Sequence, residues 1–385
     1  AGLFSAVNTV YKKKGYNTDA AGFAAAGFSY QGCRLLVLGS GGAARIMIHT
    51  AAAGGAAEIV IKSRTPEKLK DLLISLRSRY PQCRFAAISD LRETEAAFHY
   101  ILNATPLGMW PQAGGLPLPR EAYLRLLQTK EIRAVFDAVY NPPATRFVLL
   151  ARSSGVRAEG GLRMLFHQAV EAQKIWHPEL KERFDDPGVR ETLRRGRQGL
   201  ALKLFTDFPQ KILLTGFMAA GKSTLARKLS EAIGRPEAFV DSDDYIEKAA
   251  GRPVREIFRK EGEAAFRLME KKALSRLLAM DESLIIATGG GMLQDPELLS
   301  LARSAGALIV TLDVPLEEAL RRTAGDTARP LLNKPRKAVE SLYNKRRTNY
   351  LEAADLVIDA GRPPEECLRT LQSMLFAEDF AADKK

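Results

Sequence analysis

Residues 211–229, K-I-L-L-T-G-F-M-A-A-G-K-S-T-L-A-R-K-L, decide the fold of the C-terminal half of the chain. An apolar run at 212–215 leads into Gly-x-x-x-x-Gly-Lys-Ser, and a helical pattern follows. Amides of such a loop wrap phosphates, its Lys adds a point charge, and its Ser offers an oxygen to Mg²⁺. This predicts a parallel α/β domain that performs phosphoryl chemistry on a nucleotide, with cofactor contacts from Gly216, Ala219, Ala220, Gly221, Lys222, Ser223 and Thr224 and with Ser223 as a metal ligand.

A second glycine-rich turn lies near the start of the chain. Residues 35–38 are predicted to form a buried strand, and Gly-x-Gly-x-x-Ala follows at the start of a helix, an arrangement that admits a pyrophosphate to the helix N-terminus. The strand at 58–62 ends in Ser-Arg-Thr, without the acidic residue that binds an NAD ribose, so the sequence favours NADP(H). A solvated basic turn is the alternative. The predicted cofactor residues are Gly39, Gly41, Gly42, Ala43, Ala44, Ser63, Arg64, Thr65 and Lys68.

Polar residues that follow the phosphate loop indicate an acceptor site. A strand at 238–240 would place Asp241 and Asp243 at its carboxyl end, one towards Mg²⁺ and one on an acceptor hydroxyl. A helix N-cap cluster, with Asp243 or Asp244 as the cap, explains the same residues without a ligand. Three glycines at 289–291 follow another apolar run. A Gly- and Pro-containing loop carries Arg322 and Arg329, and a helix near the C-terminus carries Arg346.

Composition excludes several classes of protein. The chain has 46% hydrophobic and 26% charged residues, which is typical of a soluble globular protein, and its apolar runs fall short of the roughly 20 residues that span a bilayer. The net charge of +12 is not arranged in basic stripes with aromatic residues, so we expect no nucleic-acid partner. Three dispersed cysteines indicate neither a disulfide framework nor a zinc site and fit the cytoplasm.

The alternation of strand and helix patterns restarts once, after a highly charged stretch at 179–208. We therefore predict α/β domains at 1–178 and 209–385 joined by a linker with some helix. The predicted fold class is a Rossmann-type NADP-binding domain followed by a P-loop kinase domain, each a parallel sheet flanked by helices.

Residues 211–360 resemble shikimate kinase through GFMAAGKST, DSD, FRLME, GGG, ARPLL and the Arg-x-x-x-Tyr of RRTNY. The resemblance implies that Lys222 and Ser223 hold nucleotide phosphate and Mg²⁺, that Asp241 helps to hold the metal, and that Asp243 is the base or orienter of the shikimate hydroxyl. It implies further that Arg267 and Arg346 clamp the shikimate carboxylate, that Arg329 is a lid arginine, and that Arg322 lies against adenine. Residues implied to line the acceptor pocket are Gly289, Gly290 and Gly291.

Residues 1–178 resemble shikimate dehydrogenase, which reduces 3-dehydroshikimate with NADPH. The resemblance rests on Asn8-Thr9, Asn17-Thr18-Asp19, the glycine turn, SRT, NATPLGM, DAVYNP and the stretch from 160 to 176. It implies a substrate-domain remnant at 1–18, an NADP domain at 19–160 and a returning helix at 161–178. The residues it implies are Asn8, Asp19, Tyr140 and Gln168 for substrate, with Asp19 also catalytic, and Gly161 and Met164 for the nicotinamide.

We find no Asn-x-Thr-x-Pro-x-Lys segment, whose Lys would share proton transfer with Asp19 in that family. The three lysines at 12–14 are predicted to form an exposed turn between two short strands. We therefore expect an N-terminally truncated dehydrogenase half that is inactive as it stands, fused to a complete shikimate kinase. The alternatives are a kinase that carries a non-catalytic NADP-binding or docking module, and a kinase for another polyol. Oligomeric state is not predictable from the sequence.

Overall fold

The computed structural model describes residues 7–94, 97–323 and 335–376 of the chain. These residues fall into two compact units whose boundary lies between Leu204 and Phe205, inside the stretch 179–208 that the sequence predicts as a linker. Arg329 and the other residues of its predicted loop between 324 and 334 lie outside the described residues.

The first unit is built on a six-stranded parallel sheet with the strand order β5-β4-β3-β6-β7-β8. Numbered from its own first strand, this is the order 3-2-1-4-5-6 of dinucleotide-binding folds, with a crevice where the order reverses between β3 and β6. A short antiparallel pair, β1 and β2, precedes the sheet. The strands are β1 Thr9–Tyr11, β2 Lys14–Tyr16, β3 Arg34–Leu38, β4 Glu58–Lys62, β5 Arg84–Ile88, β6 Tyr100–Asn103, β7 Ala134–Asp137 and β8 Arg157–Glu159.

Helices connect the parallel strands and cover the sheet. Leu35, Ile59 and Phe136 from three strands are fully buried in one core with the helical residues Met47 and Ile48. Strands buried on both faces explain why the sequence shows continuous apolar runs at these positions. The helices are α1 Asp19–Ala24, α2 Gly42–Ala53, α3 Lys70–Arg79, α4 Arg120–Gln128, α5 Arg146–Ser153, α6 Gly161–Trp176 and α7 Pro187–Asp207.

The second unit is a five-stranded parallel sheet with the order β10-β11-β9-β12-β13, so the first strand of the unit, β9, is central. All six residues of β9 are buried. Loops that leave the carboxyl ends of β9 and its neighbours must therefore meet at one edge of the sheet. The strands are β9 Lys211–Gly216, β10 Phe239–Asp241, β11 Leu284–Ala287, β12 Leu308–Asp313 and β13 Leu356–Asp359.

One helix of the second unit is interrupted. Gly262 in α10 has φ +79° and ψ 178°, a left-handed conformation that favours glycine, so α10 consists of two helical segments that meet there. The second segment carries Arg267. The helices are α8 Lys222–Ala232, α9 Ser242–Ala250, α10 Val254–Ala279, α11 Pro296–Ser304, α12 Leu316–Arg322, α13 Arg336–Ala353 and α14 Pro364–Phe376.

The predicted fold class is confirmed, because both units are parallel sheets flanked by helices. Two local predictions change. Arg322 is the last residue of α12 rather than part of a loop, since its guanidinium pairs with Glu318 one turn earlier and extends the helix. The predicted linker is mostly helical, because α7 continues to Asp207 and contains the boundary between the units.

Candidate active site

The loop between β9 and α8 is shaped by two left-handed residues. Gly221 has φ +87° and Ala219 has φ +57°, and together they turn the chain back onto the N-terminus of α8. The Lys222 ammonium donates hydrogen bonds to the carbonyls of Gly216 and Phe217, both at 3.1 Å. The loop therefore has the backbone turn, the helix N-terminus and the Lys that phosphate binding requires.

Two side-chain oxygens that could bind a metal ion, one from α8 and one from β10, lie next to each other beside this loop. Ser223 Oγ, in the first turn of α8, lies 2.5 Å from Asp241 Oδ2 at the end of β10. The other Asp241 oxygen accepts from the Asp243 backbone N–H at 3.0 Å, which caps α9 and fixes the carboxylate. Asp241, rather than Asp243 or Asp244, is thus the N-cap of this helix.

The Ser223 hydroxyl and the Asp241 carboxylate are suitable ligands for Mg²⁺. Magnesium in nucleotide enzymes usually has one or two protein oxygens, with substrate phosphates and water completing its octahedron. Within the described ranges there is no group of three or more His, Cys, Asp or Glu side chains placed to hold a metal ion. Ser223 and Asp241 together form a site suited to a metal that arrives with its nucleotide.

The phosphate loop opens into a cleft of about 740 Å³. Its walls include most of the predicted phosphate, metal and acceptor residues, without Gly216 and Arg267, together with several residues for which the sequence predicted no role. The lining residues are Met218, Ala219, Ala220, Gly221, Lys222, Ser223, Thr224, Leu225, Asp241, Asp243, Thr288, Gly289, Gly290, Gly291, Leu312, Arg322, Arg346, Ala360, Arg362, Pro364 and Cys367.

Asp243 has the electrostatics of a proton acceptor in this cleft. Burial, followed by the negative charge of Asp241, raises its pKa to about 6, although Lys222 acts in the opposite direction. Its Oδ1 atom is buried and has no hydrogen-bond partner among the described residues. A carboxylate with an elevated pKa and an oxygen that accepts no hydrogen bond can take a proton from a bound hydroxyl near neutral pH.

Each glycine of the 289–291 turn lies against a different charged side chain. A Cβ on Gly289 would lie 2.8 Å from Asp243 Oδ1, and a Cβ on Gly291 would lie 2.6 Å from Arg267 Nη1. A Cβ on Gly290 would lie 4.0 Å from Arg346 Nη1. The turn therefore gathers the predicted base and both predicted clamp arginines around one short stretch of backbone. A side chain at 289 or 291 would force the Asp243 carboxylate or the Arg267 guanidinium to shift from the position it has here.

Arg267 is oriented by two carboxylates. Its guanidinium donates to Glu270 Oε2 at 2.6 Å and to Glu263 Oε1 at 2.9 Å, and it lies against Gly291 without lining the cleft. Burial acts to lower the pKa of Arg267, but Glu270 and Glu263 outweigh burial and raise it. Burial raises the pKa of Glu270, whose side chain is 1% exposed. Glu270 belongs to the FRLME stretch, in which only Arg267 was predicted to have a role.

The part of the cleft around Arg322 includes lining residues that the sequence did not predict. Arg322 donates to the carbonyl of Ala360 at 2.9 Å and to that of Ala219 at 3.3 Å, which links the phosphate loop to the residues after β13. Pro364 and Cys367, at the start of α14, line the same end. This apolar and guanidinium-bearing region is where a planar base would lie if the phosphates occupied the loop.

In the first unit, the turn after β3 lies at the crevice of the sheet. Gly39 has φ +101°, and a Cβ there would lie 3.1 Å from Thr105 Cγ2 and 3.2 Å from the Ala104 carbonyl, so the loops after β3 and β6 touch. A Cβ on Gly41 or Gly42 would have nothing within 4 Å, which leaves the N-terminus of α2 open to a ligand.

The predicted 2′-phosphate residues follow β4 on the same edge. Ser63 is buried, and its hydroxyl accepts from the Thr65 N–H at 3.3 Å, which shapes the turn. Arg64 and Lys68 are exposed. The structure thus places both cations beyond the end of the second strand of this sheet, where the ribose of a dinucleotide lies in the fold.

Three predicted substrate residues of the first unit form a hydrogen-bonded group. Asn8 Nδ2 donates to Asp19 Oδ1 at 2.9 Å and to Gln168 Oε1 at 3.0 Å. Burial raises the pKa of Asp19, partly offset by the Asn8 hydrogen bond. As predicted, Lys12 and Lys13 form the turn between β1 and β2, and Lys14 begins β2.

The remaining predicted residues of the first unit lie around the N-terminus of α6. The Gly161 N–H donates to the Val139 carbonyl at 2.9 Å, and the carbonyl of Met164 would lie 2.5 Å from a Cβ on Gly22 in α1. Tyr140, next to Val139, is 40% exposed, and in the described part of the chain no hydrogen bond joins it to Asn8, Asp19 or Gln168. Hydrogen bonds join Asn8, Asp19 and Gln168 into one group, and among the described residues Tyr140 is not bonded to it.

A buried polar network lies at the carboxyl ends of β6 and β7, and it was not predicted from the sequence. Asp137 is fully buried and accepts from Asn103 Nδ2 at 2.8 Å, Thr145 Oγ1 at 2.6 Å and the Val139 N–H at 3.0 Å. Burial raises the pKa of Asp137 to about 7. The network joins the ends of β6 and β7 to α5 and holds the loops that carry Thr105 and Tyr140.

The comparisons with known proteins identify the second unit. A sequence profile of the family "Shikimate kinase" matches residues 218–375. A shikimate kinase from Persephonella marina is 38% identical over 162 residues, which cover 42% of this chain and 96% of that protein. The chain belongs to the shikimate kinase family. The shikimate kinase of Salinibacter ruber is 37% identical over 190 residues, 46% of this chain and 91% of that protein.

Among solved structures, a chorismate mutase/shikimate 5-dehydrogenase fusion protein from Clostridium acetobutylicum is 28% identical to this chain and covers 53% of it and 68% of its own length. The TM-score is 0.41.

No helix among the described residues has both the length and the apolar character needed to cross a membrane. Cys33, Cys83 and Cys367 are all free and buried.

Proposed function

We propose that the second unit transfers the γ-phosphoryl group of Mg·ATP to shikimate and forms shikimate 3-phosphate. The observation that carries this proposal is that the phosphate loop, the Ser223–Asp241 pair, Asp243 and Arg346 line one cleft. The family to which the chain belongs supports shikimate as the acceptor.

In the proposed reaction the acceptor hydroxyl lies beside Asp243 with its oxygen directed at the γ-phosphorus. The hydroxyl oxygen forms the new P–O bond, the bond from the γ-phosphorus to the bridging oxygen breaks, ADP leaves, and the hydroxyl proton passes to Asp243. Lys222 neutralises charge on the phosphates. Mg²⁺, bound through Ser223 and Asp241, would neutralise phosphate charge. Arg346 and Arg267 would bind the acceptor carboxylate in their guanidinium planes.

This proposal is tested by coupled detection of ADP. Shikimate added to the folded chain with Mg·ATP should start ADP release that is absent without shikimate. The analogue in which the carboxylate is a methyl ester should be a poor acceptor, because a neutral ester cannot form the charged pair proposed with Arg346 and Arg267. ADP release that does not depend on shikimate contradicts the proposal, and release driven equally by a polyol without a carboxylate favours the polyol kinase instead.

For the first unit we propose NADP(H) binding and a site for shikimate or 3-dehydroshikimate. The supporting observations are the 3-2-1-4-5-6 sheet order, the open N-terminus of α2, the exposed Arg64 and Lys68, and the hydrogen-bonded group Asn8–Asp19–Gln168. Asn8 and Asp19 would bind ring hydroxyls, and Asp19 would take part in proton transfer.

The 385 residues contain no Asn-x-Thr-x-Pro-x-Lys segment to supply a second proton-transfer group beside Asp19. We therefore expect these residues to bind NADPH without rapid reduction of NADP⁺ by shikimate. Calorimetric titration with NADPH and NADH, with a parallel absorbance assay of NADP⁺ reduction, tests both parts. Tighter binding of NADH contradicts the cofactor assignment, and rapid reduction contradicts the catalytic one.

Both units would then act on the same small molecule, with no nucleic-acid or membrane partner. We propose that the chain works in the cytoplasm, where its three free cysteines would stay reduced.

A further inference from the structure

The 289–291 turn of the second unit is held at two successive residues by buried hydroxyl groups that do not line the cleft. The Gly289 N–H donates to Ser242 Oγ at 2.8 Å, and the Tyr350 hydroxyl donates to the Gly290 carbonyl. Ser242 is fully buried and Tyr350 is 3% exposed. The two bonds approach the turn from different helices, α9 and α13.

Each hydroxyl belongs to an element that also carries a proposed reactive or binding group. Ser242 lies between Asp241 and Asp243 in the sequence, so its bond joins the backbone of both carboxylates to Gly289. Tyr350 lies one helical turn after Arg346. Tyr350 Oη would be 3.8 Å, and Arg346 Nη1 4.0 Å, from a Cβ placed on Gly290, so both groups converge on that residue. The turn is therefore the common support of Asp243 and Arg346.

A glycine turn needs such support. Glycine has no side chain to pack and has more backbone freedom than any other residue, so three glycines in succession hold one conformation only when surrounding groups impose it. Catalytic groups must be held within about 0.5 Å of a productive geometry, and supporting hydrogen bonds accomplish this. On the nucleotide side, by contrast, the phosphate loop is held by its own contacts, such as those of Lys222 with Gly216 and Phe217.

We infer that Ser242 and Tyr350 are positioning residues for the acceptor side of the cleft. Neither residue lines the cleft. Through Gly289 and Gly290 they keep the proposed base, Asp243, and the proposed carboxylate ligand, Arg346, facing the same volume. This inference rests on the proposed acceptor role of that volume. Its consequence is that losing either hydroxyl weakens use of the acceptor and leaves use of ATP unchanged.

The Tyr350→Phe variant tests the inference with little change in packing. Tyr343→Phe is the matched control, because Tyr343 lies on the same helix, is buried, and donates a comparable hydrogen bond to the Val314 carbonyl at 2.9 Å, away from the glycine turn. We expect Tyr350→Phe to raise KM for shikimate about tenfold, the value of one buried hydrogen bond. KM for ATP should stay within about twofold of the starting value, and the control should change neither constant.

Ser242→Ala examines the other support. Its control is Ser230→Ala, a fully buried Ser in α8 whose hydroxyl donates to the Arg227 carbonyl at 2.7 Å. Ser242→Ala should also raise KM for shikimate, and the double variant with Tyr350→Phe should show less than the product of the two single effects, because both act on one turn. Thermal melting of every variant separates lost positioning from lost folding.

The inference is overturned if Tyr350→Phe leaves KM for shikimate unchanged, if it changes KM for ATP by the same factor, or if Tyr343→Phe has an equal effect. A product of single effects in the double variant contradicts a shared turn. These outcomes require an active unmodified chain. Failure of that chain to phosphorylate shikimate would instead refute the proposed function.

Discussion

Ser223 Oγ and Asp241 Oδ2 lie 2.5 Å apart, although 18 positions and two different elements separate them in the chain. The contact brings the phosphate loop and the carboxyl end of β10 to a single point. A cation bound there would face the mouth of the loop where the terminal phosphates of a nucleotide lie. We therefore propose that Asp241 belongs to the phosphoryl-transfer machinery, even though its other oxygen caps α9.

Asp241→Asn should raise the Mg²⁺ concentration needed for half-maximal kinase activity. Loss of one ligand charge should weaken Mg²⁺ roughly tenfold or more, while the amide oxygen can still cap the helix. Activity measured across a Mg²⁺ titration at fixed ATP checks this. Asp244→Asn is the control, because Asp244 is an exposed carboxylate in the first turn of the same helix. Equal Mg²⁺ requirements for the two variants would contradict a metal role for Asp241.

The pH dependence of the kinase should report the Asp243 carboxyl, whose pKa is raised to about 6. The charged form is the proton acceptor and is the minority species below that pH. We therefore expect kcat/KM for shikimate to fall as pH decreases through about 6 and to level off above it, since this ratio reports groups of the free enzyme. Asp243→Asn should lose roughly 10²-fold or more of the activity and the acid limb with it. If kcat/KM of that variant still falls in the same way as pH decreases, the titrating group is not Asp243.

Discrimination between NADPH and NADH should depend on the two exposed cations after β4. Arg64→Ala combined with Lys68→Ala should weaken NADPH binding by about tenfold or more and leave NADH binding within about twofold, because only NADPH carries the 2′-phosphate. Lys70→Ala, which removes one exposed positive charge at the start of α3, is the control. Titration followed by NADPH fluorescence gives the constants. Equal losses for both cofactors would show that these residues do not contact the 2′-phosphate.

The buried carboxyl of Asp137 should contribute to the stability of the first unit alone. Asp137→Ala leaves three donors, from Asn103, Thr145 and Val139, without their acceptor and should cost on the order of 3 kcal/mol. Asp71→Ala, at an exposed position in α3, should change stability by less than about 0.5 kcal/mol. Urea unfolding gives the free energies of unfolding, and the kinase assay reports on the second unit. Loss of kinase activity in step with the first unit would contradict independent folding.

Several strands of the two sheets were readable from the sequence because they are buried on both faces. The strand predicted at 58–62 has those bounds in the structure, and the run at 35–38 gains only Arg34. Apolar side chains on both faces leave an unbroken hydrophobic run, and a glycine-rich turn after each first strand fixes where it ends.

The supports of the site were not readable in the same way. Ser242 and Tyr350 lie in the DSD and Arg-x-x-x-Tyr motifs, but their hydrogen-bond partners are 47 and 60 positions away, and the motifs give no indication of those partners. Cys367 reaches the cleft only because α14 begins at its edge. The end of α12, by contrast, could have been predicted from local sequence. Glu318 lies four residues before Arg322, and such a pair indicates that the helix continues to Arg322.

The central claim is that the second unit phosphorylates shikimate, and the mass of the product tests it most directly. Incubation of the full chain with shikimate and Mg·ATP, followed by mass spectrometry, should show shikimate gaining one phosphoryl group in a one-to-one ratio with the ADP formed. The Asp243→Asn chain should give little of this product in the same time. If ATP is consumed while shikimate keeps its mass, or if shikimate is left unmodified by a folded chain with its metal and nucleotide supplied, the account is wrong.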